Sequence, residues 1–151
     1  MALWNCDRCG RGFANRNQSH FCSDVPLSAH FDGKPAPTRE LFDAFLAAVR
    51  KNGPVRVLPE KTRIAFQVRM SFAALMTRRG YLRGHLVLAR RLESPRFLSI
   101  QTISPRNHVH AFELRAPAEI DAEFRDWIGE AYRVGRQEHL QRPAKRGARG
   151  Q

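Results

Sequence analysis

Between Val55 and Arg115 the large apolar side chains recur at every second position, whereas on either side of that stretch they recur every three or four. A period of two lines one face of a strand and a period near 3.6 lines one stripe of a helix, so the chain reads as a sheet bracketed by two helices. Ile64, Phe66 and Val68 alternate with Arg63, Gln67 and Arg69; Leu82, Leu86 and Leu88 alternate with Arg83, His85 and Val87; Phe112 and Leu114 alternate with Ala111, Glu113 and Arg115. Residues 97–103 are rich in β-formers, and Pro59, Arg79-Gly80, Ser94-Pro95 and Ser104-Pro105 punctuate the runs. The pattern predicts an antiparallel meander of five or six strands.

Ahead of the sheet, Leu41, Phe42, Phe45, Leu46 and Val49 follow helical spacing, with Thr38 as the expected N-cap and Asn52-Gly53-Pro54 as the stop. After it, Pro117 is expected to open a helix carrying the stripe Ile120, Phe124, Trp127, Ile128, Ala131 and Tyr132 and reaching His139 or Leu140. Both helices belong on one face of the sheet, an α+β domain over residues 38–141. Residues 25–37, with Pro26, Gly33, Pro35 and Pro37, read as a linker anchored by Phe31. The basic residues 142–151 carry no large apolar side chain and are expected to be disordered. At 151 residues the chain has room for one such core and a small appendage. No apolar run nears the ~20 residues a membrane span needs, and the first residues lack a signal-peptide stretch, which points to the cytoplasm.

The appendage is residues 1–24, which hold all three cysteines in the pattern Cys6-x2-Cys9-x10-His20-x-Cys22. Three thiolates and an imidazole are a tetrahedral Zn²⁺ set, and with every position filled by protein the site would be structural. His20 and Cys22, two apart, point the same way in an extended segment. Trp4, Phe13 and Phe21 supply a small core, and Gly10 and Gly12 suit a tight turn, as in a zinc-knuckle-like module. A redox Cys-x-x-Cys and three unrelated buried thiols are the competing readings, and Asp7, Asp24 and His30 are substitute ligands.

Lys and Arg number 26 against 14 Asp and Glu, a formal charge of +12, which favours anionic partners. The excess sits in the strand-rich middle and in the tail from Arg142. On the sheet face turned from the helices, Arg63, Arg69, Arg83 and His85 would stand among Ala65, Ala89 and Ala111, a shallow basic surface able to take a phosphate or a nucleic-acid strand. That face lacks the exposed aromatics of a base-stacking platform, and a solvated sheet face is the plain alternative. His108 and His110, two apart after a Ser-Pro-Arg-Asn turn, are candidates for metal, anion or proton binding, or for structural hydrogen bonds at a sheet edge. Lys61 and Arg106 could complete an anion pocket with them. No Walker loop, dinucleotide fingerprint, Ser-His-Asp order or catalytic carboxylate pair is visible.

Several strings together resemble a bacterial family, the domain of unknown function 5655: Lys61-Thr62-Arg63-Ile64-Ala65-Phe66, Gly84-His85-Leu86, Ser104-Pro105-Arg106-Asn107-His108-Val109-His110 and Glu130-Ala131-Tyr132. The likeness covers residues 38–140, with the cysteine module, Cys6-Asp7-Arg8-Cys9-Gly10 and Ser19-His20-Phe21-Cys22, as an N-terminal extension found in some members. The resemblance speaks to the domain's identity and implies no activity. The residues favour a small zinc-containing protein that binds an anionic partner, DNA, RNA or another phosphate-bearing ligand. The alternatives are an enzyme or small-ligand binder using a His/Arg/Lys pocket, and a protein–protein interaction module.

Overall fold

A computed structural model describes residues 3–5, 12–13 and 25–138. Two short strands, β1 (Trp4–Asn5) and β2 (Gly12–Phe13), pair antiparallel as a separate hairpin. Helix α1 (Ala36–Arg50) leads into β3 (Arg56–Pro59), β4 (Ile64–Gln67), β5 (Ser71–Arg78), β6 (Tyr81–Leu88), β7 (Ser99–Ser104) and β8 (Asn107–Leu114), and helix α2 (Ala122–Gly135) follows. The six strands form one antiparallel sheet in the order β3-β4-β5-β6-β8-β7. The meander thus holds through β6, after which β8 takes the place beside β6 and β7 becomes the outer edge. Phe97 accounts for the detour: it is buried between His110 and Trp127, each ring centroid 4.8 Å away, so the chain enters the core before β7 begins.

The helices lie on one face, and the core between the layers is aromatic. Phe45 reaches Phe66, Phe112 and Phe124 at 5.2, 6.1 and 6.4 Å between centroids, and all four are fully buried. Burial of such side chains contributes about 2 kcal/mol each, and edge-to-face contacts such as Phe112–Phe124 at 5.1 Å add to that.

Three boundaries differ from the sequence expectation. Thr38 is not an N-cap but a buried residue of the first turn of α1, preceded by Pro35 and Ala36. Its hydroxyl donates to the Arg78 carbonyl (2.7 Å) and accepts from the Gly80 N–H (2.8 Å), fastening α1 to the β5–β6 turn. Pro117 opens only a 3-10 turn, Pro117–Glu119; α2 starts after Asp121, whose carboxylate caps the Phe124 N–H. Residues 25–37 are not a bare linker. Leu27–Phe31 forms a 3-10 turn whose His30 is buried, donates Nε2–H to the Glu60 carbonyl (2.7 Å) and offers its own carbonyl to the Thr77 hydroxyl (2.5 Å). These bonds pin the 3-10 turn to the β3–β4 turn and to β5.

Candidate anion-binding surface

The sheet face turned from the helices is not uniform. One row runs straight across the strands through Leu58, Ala65, Ala74, His85, Ala111 and Ser99. At its β3–β5 end Leu58, Ala65 and Ala74 are buried, as is Gln67 at 1% exposure. Gln67 donates its amide to the Gly12 carbonyl at 2.7 Å, so the β1–β2 hairpin meets the sheet here. The expected open floor of small side chains is therefore covered on this side, and Gln67, which alternates with the core positions of its strand, is an anchor.

His85 stands at the border of the covered half. Burial, with a smaller contribution from the Arg63 guanidinium, pushes its pKa down to about 4, so the imidazole is neutral at physiological pH. Arg63 itself holds Glu60 at 2.9 Å. Further along this face Arg83 and Arg115 share one carboxylate, Glu113, at 3.3 and 3.1 Å, and the Arg115 guanidinium lies 4.1 Å from the Tyr81 ring centre. Lys61 is exposed in the β3–β4 turn and Arg106 in the β7–β8 turn, at opposite edges of the sheet.

His108 and His110 face the helices, on the other side of the sheet from His85. His110 is fully buried; it accepts the Leu92 N–H on Nε2 (2.9 Å), so its Nδ1–H donates to the His108 carbonyl (2.9 Å). Burial holds its pKa below the usual histidine value. The His108 Nε2–H donates to the Pro105 carbonyl (3.1 Å) and Nδ1 meets the Thr102 hydroxyl (2.9 Å). All four ring nitrogens are engaged, leaving none to bind a metal, anion or substrate. A single pocket uniting His85, His108, His110, Lys61 and Arg63 is not assembled.

Many arginines of the middle segment are matched by acids, several from the last helix: Arg90 with Glu130 (2.8 Å), Arg91 with Glu93 (2.6 Å), and Arg96 with Asp121 (2.9 Å) and Glu123 (3.3 Å). Asp121, Glu123 and Glu130 thus neutralise arginines of the β6–β7 connection rather than only complementing the dipole of α2.

A second group of cations gathers where both helices stop. Residues 50–57 hold Arg50, Lys51 and Arg56; residues 68–70 hold Arg69; residues 132–138 hold Arg133 and Arg136, with Glu138 the one carboxylate among these segments. Tertiary hydrogen bonds bring the three together. The Tyr132 hydroxyl donates to the Pro54 carbonyl (2.7 Å), and the Arg69 and Met70 N–H groups both donate to the Gly135 carbonyl (2.8 and 3.0 Å). Arg69 Nε donates to Gln137 Oε1 (3.1 Å), and Arg136 holds Glu138 at 3.0 Å. Arg50, Lys51, Arg56, Arg133 and Arg136 are exposed. A cleft of about 310 Å³ lined by Ala89, Glu130, Arg133, Val134 and Glu138 opens alongside. Cations in a last helical turn complement the terminal carbonyls, and convergence of two such turns builds a field no single helix would have. Of the sequence candidates only Arg69 belongs here. Of the others, Arg50, Lys51, Arg133 and Arg136 sit at the ends of the two helices and Arg56 opens β3.

Cys6, Cys9, His20 and Cys22 lie outside the described residues. Among the described residues no group of three or more His, Cys, Asp or Glu side chains could hold a metal ion, and no helix is long and apolar enough to cross a membrane.

The family described as "Domain of unknown function (DUF5655)" matches residues 27–135, and the chain belongs to it. The match takes in the 3-10 turn at Leu27–Phe31 and ends at the last residue of α2, the limits of the fold described above. No curated protein and no solved structure matches the chain.

Proposed function

We propose that this member of the domain of unknown function 5655 family binds nucleic acid through phosphate contacts made where α1 and α2 end. The observation that carries the reading is the convergence of six cations with one carboxylate from three separate segments. In sequence, the stretch from Arg142 onward adds Lys145, Arg146 and Arg149 and no acid. Arginine forks and lysine ammonium groups neutralise phosphates and release condensed counterions, so the attraction is strong and independent of base sequence. The helix-averted sheet face contributes little, because its arginines Arg63, Arg83 and Arg115 hold Glu60 and Glu113 and the Tyr81 ring lies beneath Arg115.

Zn²⁺ belongs to this reading as a structural ion held by Cys6, Cys9, His20 and Cys22. The donor set suits it, three soft thiolates and one imidazole. The hairpin supports it as well: β1 and β2 pair Asn5 with Gly12, and Cys6 and Cys9 both fall in the stretch that links these two strands. When bound, the ion would supply cross-links to a segment too small to hold a core of its own.

A salt titration tests the nucleic-acid reading. Fluorescence anisotropy of a labelled duplex and of a labelled single strand is expected to report binding at low salt whose affinity falls steeply and log-linearly with salt. No binding at low salt refutes it. Metal analysis of purified protein tests the zinc arm: one equivalent is expected in the native chain and a loss in Cys22→Ser, and metal-free native protein removes it.

A further inference from the structure

The two edges of the sheet are built differently. The β3 edge is four residues long, starts with Arg56 and ends with Pro59, the charge and proline that keep an edge from recruiting another strand. The β7 edge has neither. Residues 97–104 carry no charge, β7 itself reads Ser-Ile-Gln-Thr-Ile-Ser, and the sheet order leaves its outer side without a neighbour. The two exposed large apolar side chains among the described residues, Leu98 at 52% and Ile103 at 60%, stand at the two ends of this strand.

We infer that β7 is a self-association edge, pairing antiparallel with β7 of a second copy to join two six-stranded sheets into one. The occupant follows from charge and from placement. Two copies of a chain with formal charge +12 repel over most of their surfaces, and this uncharged strand is where they meet without opposing like charges. A two-fold axis through the middle of β7 makes the contact isologous and exchanges the ends of the strand. Leu98 and Ile103 then stand at the two ends of the paired segment in each copy. The register irregularity between Thr102 and Ser104 falls at the turn end, leaving Ser99–Thr102 regular for pairing.

Sedimentation velocity over a concentration series tests this, with the full chain and with Ile103→Lys and Leu98→Glu. The native chain is expected to pass from monomer to dimer as concentration rises. Each variant alone is expected to stay monomeric, with far-UV circular dichroism and melting temperature unchanged because both side chains are exposed. A native chain that is monomeric at every concentration overturns the inference, and so does a dimer indifferent to both substitutions.

Discussion

Tyr132 closes the molecule at its basic end: its hydroxyl donates to the Pro54 carbonyl across 2.7 Å, tying the last turns of α2 to the loop that leaves α1. Gly53, just before that proline, has φ +138°, and a Cβ placed on it would sit 2.5 Å from the Tyr132 hydroxyl. The two requirements reinforce one another, since the loop must be left-handed and bare for the phenol to reach it. Tyr132→Phe is expected to cost about 1 kcal/mol, the net worth of one hydrogen bond. Gly53→Ala is expected to cost more, through both backbone strain and collision. Urea denaturation of the two variants checks the order; a Gly53→Ala protein as stable as the native chain would show that the loop is not held there.

The same junction sets the spacing of the cations on either side of it. Arg50→Gln combined with Arg133→Gln is expected to weaken duplex binding equally for all base sequences. The slope of log affinity against log salt should also flatten, by about 0.9 for each phosphate left without its cation. Arg83→Gln serves as the contrast. Its partner Glu113 keeps Arg115, so the local charge is nearly balanced and the slope should not change. Equal effects at both places would mean that net charge alone, rather than the helix-terminal cluster, drives binding.

The layers were legible from periodicity because burial dictates it. Ile64, Phe66, Leu82, Leu86, Phe112 and Leu114 all occupy the core-facing positions their alternation assigns. Strand order was not legible, because a meander and a sheet with β8 inserted place the same residues on the same faces; what separates them is the burial of Phe97, a tertiary event. Thr38 resembles an N-cap to any local reading, and only the β5–β6 turn, forty residues away, gives its hydroxyl other work. The functional candidates suffered most. A charge count along the chain finds arginines but not the acids that will face them, so Arg63 and Arg83 looked free while Glu60 and Glu113 held them. The basic end is invisible in the same count, because it is assembled from segments far apart in the chain.

His110 was a candidate for chemistry and is instead a splint between β8 and the 89–98 connection. Its two nitrogens satisfy the Leu92 N–H and the His108 carbonyl inside the core. Replacement by leucine keeps the volume and strands both backbone groups, each of which costs about 1–3 kcal/mol unpaired. A His110→Leu protein is therefore expected to lose about 3 kcal/mol of stability, while its nucleic-acid affinity, measured well below its melting temperature, stays the same. An affinity that falls with stability intact would return His110 to the functional residues.

His85 makes the fold acid-sensitive. In the unfolded chain it titrates near 6.5, and in the folded chain near 4, because burial and then Arg63 disfavour the imidazolium. Between those values the unfolded state binds a proton that the folded state does not, so lowering the pH draws the equilibrium toward unfolding. The stability tied to neutral His85 is complete above about pH 6.5 and declines as pH falls toward 4, below which both states are protonated and the effect levels off. A difference of this size corresponds to an order of 3 kcal/mol. His110 shifts in the same direction and adds to the slope. His85→Gln, which never charges, is expected to show a shallower loss of stability between pH 6.5 and 4 than the native chain. Its residual slope then belongs to His110 and the carboxylates. Chemical denaturation at a series of pH values checks the linkage, and NMR titration of the His85 ring checks its cause; a ring that titrates near 6.5 in the folded protein would place His85 in solvent and remove the covered face around it.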